Sequence, residues 1–161
     1  MTDDQPSKPY RKGVNAIITC KGKFLIIQKH IYQLNEWNFP GGGREDGETL
    51  QENLFRELKE ELGADRNDFE MVGVSDHKVE YDYPAEMATK VNGGKYRGQS
   101  YSQVVLRFIG NKKKLVFDSK EFRAHMWVKA SDLSKYLVFP GQYQNYKAVI
   151  DHLVPKSNLI K

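Results

Sequence analysis

The chain has 161 residues, 39% of them apolar, with 25 basic against 21 acidic side chains for a net charge of +4. That length and apolar content suit one globular domain with a proper core, and the lone cysteine, Cys20, excludes an intramolecular disulfide and a four-thiolate metal site. No run approaches the roughly 18 apolar residues of a membrane span and the start lacks the apolar stretch of a signal peptide, so a cytoplasmic protein with no membrane association is expected.

Residues 1–9, polar with two prolines, read as a disordered leader, and residues 10–161 as a single domain. Residues 14–20 and 24–29 are β-branched, apolar runs separated by Lys21-Gly22-Lys23, the pattern of a hairpin. Cys20 falls at the end of the first run and is expected to be a small buried side chain. Trp37-Asn38-Phe39-Pro40 leads into Gly41-Gly42-Gly43, and Asp46-Gly47-Glu48 supplies a second flexible turn. Thr49-x-x-Glu52 is then a capping box ahead of Leu50, Leu54, Leu58 and Leu62. That periodicity predicts a helix over residues 50–62, closed by Gly63 in a left-handed conformation.

Beyond the helix, residues 69–76 predict a strand and 78–83 an extended continuation, while residues 84–94 lack periodicity and read as a surface loop or flap. Residues 100–109 and 114–117 are strand candidates around Gly110-Asn111, with Lys112-Lys113-Lys114 resembling a charged hairpin turn, and residues 125–128 form another short strand candidate. Ser131-Asp132-Leu133 suits a capped helical turn, and residues 143–153 a helix with Tyr146, Val149, Ile150 and Leu153 on one face. Strands on both sides of one central helix, plus a helix at the end, indicate an α/β layered domain with a mixed sheet.

Charge is unevenly placed. Residues 41–70 hold ten acids and four bases, leaving eleven acids and twenty-one bases elsewhere, so −6 is embedded in +10. On the predicted helix Glu57, Glu60 and Glu61 stand at i, i+3, i+4 and share one face, where like charges repel. A divalent cation bound by carboxylate oxygens would reverse the sign of that interaction, and oxygen-only ligands favour Mg²⁺ or Mn²⁺ over zinc. A basic surround would steer a polyphosphate toward such a centre. His30, His77, His125 and His152 are scattered without metal-ligand spacing and are expected to be structural or surface residues.

The pattern Gly42, five residues, Glu48, seven residues, Arg56-Glu57-Leu58-Lys59-Glu60-Glu61-Leu62-Gly63-Ala64 resembles the complete Nudix box. The resemblance implies the Nudix fold, an α/β/α sandwich around a central mixed sheet, and metal-assisted hydrolysis of a phosphoanhydride in a nucleoside diphosphate linked to another moiety. It implies metal binding by Glu57, Glu60, Glu61 and the carbonyl of Gly41, with Arg56 paired to Glu48 and with Gly42 and Gly63 shaping the loop and the helix end. Tyr10-Arg11, Trp37-x-Phe39-Pro40, Tyr96-Arg97-Gly98-Gln99, Glu121-Phe122 ahead of Trp127-Val128, and Val138-Phe139 resemble the subgroup of bacterial RNA pyrophosphohydrolases and asymmetric dinucleoside tetraphosphate hydrolases. By that resemblance the general base is a box glutamate, Glu57 by position, or Glu121, while Arg11 and Phe139 contact the nucleobase. Gly41 stands where the subgroup has glutamine, and Ser100-Tyr101-Ser102-Gln103 replaces a more basic stretch, which leaves open nucleotide sugars, ADP-ribose or nucleoside triphosphates as substrates, and a non-catalytic nucleotide- or RNA-binding module as the other class.

Overall fold

A computed structural model describes residues 8–155, so most of the expected leader, residues 1–7, lies outside the described residues. β1 (Tyr10–Cys20) and β2 (Lys23–Lys29) form the expected hairpin, turning through Lys21 and Gly22 at φ 51° and 79°, the doubly left-handed geometry whose twist matches that of the flanking strands. The two strands pair at the turn end, Thr19 with Phe24 and Cys20 with Lys23. Farther along they part, and residues 38–43 fill the gap. Ile27 and Asn38 exchange backbone hydrogen bonds of 2.8 and 3.0 Å, Ala16 N donates to Pro40 O at 2.8 Å, and β3 (Gly41–Gly43) pairs antiparallel with Gly13, Val14 and Asn15 of β1. The segment is thereby wedged between the two strands, Asn38 bonded to β2 and the glycine strand to β1.

α1 (Leu50–Leu62) follows, then β4 (Phe69–Asp82), α2 (Ala85–Ala88), β5 (Gly98–Phe108), β6 (Phe122–Lys129), α3 (Leu133–Tyr136) and α4 (Gln142–Leu153). The sheet order is β4-β5-β1-β2-β6, with β3 beside β1. β1 and β5 run parallel and the other pairs antiparallel, so the sheet is mixed. β4 joins the expected strand and its extended continuation into one element, with register shifts after Met71 and Val74.

Alternation along the strands sorts the core into two layers. Val14, Ala16, Ile18, Leu25 and Ile27 pack with Leu54, Leu58 and Leu62 of α1. Ile17, Phe24, Ile26 and Val105 pack with Tyr146, Val149 and Ile150 of α4 on the opposite face. The result is the α/β/α sandwich. No helix of the described residues is long and apolar enough to cross a membrane.

The structure departs from the sequence expectation in four places, the first being residues 84–94, which hold α2 and a 3₁₀ turn at Val91–Gly94 in place of the expected aperiodic loop. Residues 114–117 are not a strand. Lys112–Lys114 form a 3₁₀ turn capped by Asn111, after which Val116 N donates to Leu62 O (2.9 Å) and Asp118 N to Glu61 O (3.0 Å). The unpaired carbonyls at the end of α1 capture this segment, and Leu115 and Phe117 pack against the core beneath it. Cys20 is only half-buried. Asp132 caps no backbone N–H of α3, its carboxylate pairing instead with Lys135 Nζ at 3.0 Å, and the helix continues from a 3₁₀ turn at Ala130–Asp132.

Candidate active site

The glycine strand and α1 build the site together. Thr49 Oγ1 accepts from Glu52 N at 3.1 Å and Glu52 Oε1 from Thr49 N at 2.8 Å, the reciprocal box that starts the helix. Gly63 at φ 65° ends it, donating its N–H to the Leu58 and Lys59 carbonyls. Between these caps Asn53, Glu57 and Glu61 stand four residues apart and form a stripe facing β3. Asn53 Nδ2 donates to Gly43 O (3.1 Å) and Gly42 O (3.4 Å). Glu61, 6% exposed, accepts from Gly41 N at 3.2 Å. The Glu57 carboxylate lies so close over Gly42 that any Cβ there would overlap it, which is the steric reason for glycine at that position.

Arg56 braces this arrangement. Its guanidinium meets Glu48 in a two-pronged pair, Nε to Oε2 at 2.6 Å and Nη2 to Oε1 at 3.0 Å, and Nη2 also donates to Gly43 O at 2.9 Å. Nη1 reaches both Glu57 and Glu60 at 3.1 Å. The charge-assisted bond from Arg56 holds the Glu48 carboxyl below its ordinary range. Glu60 lies on the solvent flank, 57% exposed, so the three glutamates splay from the helix, with Glu57 and Glu61 inward and Glu60 outward.

The inward pair carries the electrostatic signature. Burial, reinforced by the Glu57 charge, pushes the Glu61 carboxyl up to about 8, while Lys29 and the Gly41 N–H pull the other way. Burial also raises Glu57, against the pull of Arg56. Two neighbouring carboxylates in a desolvated cleft are short of positive charge. Among the described residues no three His, Cys, Asp or Glu side chains are drawn onto one point; Arg56 and Lys29 supply the cationic contacts instead. The donor set is nevertheless entirely oxygen, carboxylates beside peptide carbonyls of a glycine strand, and fits a hard divalent cation.

The NUDIX domain model matches residues 9–151. The chain belongs to the Nudix family. It is similar to the RNA pyrophosphohydrolase of Erythrobacter litoralis (strain HTCC2594), 34% identical over 91% of this chain and 92% of that protein. It is also similar to the RNA pyrophosphohydrolase of Dinoroseobacter shibae (strain DSM 16493 / NCIMB 14021 / DFL 12), 30% identical over 92% and 94%. Its fold matches the structure of the E. coli dihydroneopterin triphosphate pyrophosphohydrolase with a TM-score of 0.71 at 19% identity, covering 90% of this chain and 99% of that one.

The remaining candidates lie outside the Nudix helix. Glu121, on the loop before β6, lies 3.6 Å from Lys29 Nζ. The Arg11 guanidinium occupies the space in which a side chain at Gly43 would lie, next to the Nudix glycine strand. Phe139 is half-buried and edge-on to Tyr32, ring centroids 5.3 Å apart. Gly63 sits under Val116, whose backbone caps the Nudix helix. Sequence reasoning missed Asn53 and Lys29. Asn53 was legible as the residue four before Glu57 on the same stripe, and Lys29 as the position sharing alternation with Leu25 and Ile27, hence the α1 face. Burial acts against the Lys29 charge, but Tyr32, Glu61 and Glu121 outweigh it and leave its pKa raised.

Proposed function

We propose that the protein is a Mg²⁺- or Mn²⁺-dependent pyrophosphohydrolase whose substrate is the 5′-triphosphate end of RNA or a dinucleoside polyphosphate, acting in the cytoplasm. The observation that carries this is Glu61, buried with Glu57 against a strand of three glycines. Relatives named RNA pyrophosphohydrolase that align over nine-tenths of the chain support the RNA end, and the subgroup motifs support the dinucleoside alternative.

Glu57, Glu60, Glu61 and the Gly41 carbonyl would hold the cation, which when bound would neutralise phosphate charge and lower the pKa of water. The chain's own groups do the rest. Glu121 accepts the proton of the attacking water at its carboxylate, with Glu57 as the other candidate base. Arg56 bridges Glu48 to Glu57 and Glu60 while fixing the loop at Gly43. Gly42 leaves room for the Glu57 carboxylate. Arg11 and Phe139 receive the nucleotide, the cation above a phosphate or base and the ring as a stacking surface. The basic surface outside residues 41–70 draws the polyanion inward.

The test is phosphate release with Mg²⁺ from 5′-triphosphorylated RNA, Ap4A, ADP-ribose, GDP-mannose and dNTPs at matched concentration. The reading requires the first two to exceed the rest in kcat/KM. Faster turnover of ADP-ribose or GDP-mannose would replace the substrate class, and no release from any compound would make the protein a binding module.

A further inference from the structure

We propose that Lys29, His30 and Arg123 form a clamp that positions Glu121 beside the Glu61 end of the helix; this rests on the reading of Glu121 as the base. The loop carrying Glu121 is tied to the end of β2 at several points. Lys29 Nζ lies 3.6 Å from Glu121 Oε1. His30 N donates to Glu121 O at 3.2 Å, and the His30 imidazole donates from Nε2 to Ser119 O at 2.8 Å. Arg123 Nη2 donates back to His30 O and Tyr32 O, each at 2.7 Å. On its other side the loop is anchored to the helix itself, through Asp118 N to Glu61 O at 3.0 Å. One loop thus reads the position of the helix end and of the β2 end at once.

The register of the sheet shows how this is built. Gln28 faces Ala124 but Lys29 faces Phe122, so Arg123 is an extra residue in β6. Such a bulge bends the strand and re-aims its side chains, and here it throws the guanidinium of Arg123 across to the carbonyls of residues 30 and 32. Glu121 is 47% exposed and Lys29 28%. An ion pair at that exposure adds little to stability; its consequence is to restrict the carboxylate to the Lys29 side of the loop, and Lys29 also feels the Glu61 charge. Lys29, His30 and Arg123 are positioning residues, acting through Glu121.

The experiment compares kcat and KM on 5′-triphosphorylated RNA for Lys29→Met, Lys29→Arg, Glu121→Gln and the Lys29→Met/Glu121→Gln double variant, after thermal melts show all four folded. Misplacing a reacting group by an ångström costs up to about 100-fold, so Lys29→Met lowers kcat by about 10- to 100-fold with KM nearly unchanged. Lys29→Arg restores most of it, and the double variant is no slower than Glu121→Gln alone. Unchanged kcat in Lys29→Met beside an impaired Glu121→Gln overturns the clamp and leaves the base assignment standing. Additive losses, or a loss expressed in KM, also overturn it, because Lys29 would then act on the substrate. Unchanged kcat in Glu121→Gln removes the base assignment and the clamp with it.

Discussion

Replacing Glu61 by glutamine separates the cost of its charge from its use. The carboxyl has an ordinary value of 4.5 and is pushed up to about 8 in the folded protein, so between these values the native state binds more protons than the unfolded one. A raised folded value means that stability is fully present below about pH 4.5 and is lost as pH rises through about 8. Each tenfold change is worth about 1.4 kcal/mol, so the metal-free protein gives up roughly 2 to 3 kcal/mol between about pH 5 and 7, and on the order of 5 kcal/mol above about pH 8. Glutamine keeps an oxygen for the Gly41 N–H and abolishes the charge. Urea unfolding in EDTA from about pH 5 to 8 should therefore show the wild type losing stability more steeply than Glu61→Gln, in which the raised Glu57 still titrates. Groups remote from Glu61 cancel in the difference, whereas Glu57 and Lys29, which are coupled to its charge, contribute to it. With excess Mg²⁺ the wild-type slope should shrink, since bound cation favours the ionised carboxylate, and the variant should gain little from the metal. Parallel curves for the two proteins in EDTA would refute the reasoning.

Arg56→Lys removes the two-pronged grip on Glu48 and the bond to Gly43 O, because a lysine presents one nitrogen where Arg56 uses three; a loss of roughly 2 to 3 kcal/mol is expected by urea unfolding, with hydrolysis falling further than stability does. Gly42→Ala forces the Glu57 carboxylate out of place, so Mn²⁺ affinity and turnover should drop together while calorimetry finds the fold destabilised by about 1 to 3 kcal/mol. Thr49→Ala deletes only the helix cap, lowering stability by about 1 kcal/mol with kcat retained, and a large loss of kcat there would show the cap to be part of the site.

Much of this was readable from the residues. The helix begins at Leu50 and ends at Leu62 as its caps dictate, because Thr49, Glu52 and Gly63 satisfy backbone groups locally and need no tertiary partner. The pairing of Arg56 with Glu48 likewise follows from the box. What escaped was decided by long-range competition. Residues 114–117 have strand-forming side chains, yet the open carbonyls of Leu62 and Glu61 take the N–H groups of Val116 and Asp118. The equal treatment of Glu57, Glu60 and Glu61 also misses their splay, since helical spacing assigns an angle but not a burial depth, and it is β3, paired to β1, that lies against Glu57 and Glu61 and leaves Glu60 on the solvent flank. Lys29, His30 and Arg123 come together through a bulge that no local pattern announces.

The central claim is that Glu57, Glu60 and Glu61 hold a hard divalent cation. Isothermal titration of Mn²⁺ into the wild type and into the Glu57→Gln/Glu60→Gln/Glu61→Gln variant tests it most directly. Saturable binding by the wild type that disappears in the variant is the predicted result; equal binding by both, or none by the wild type even with a non-hydrolysable triphosphate analogue present, would contradict it.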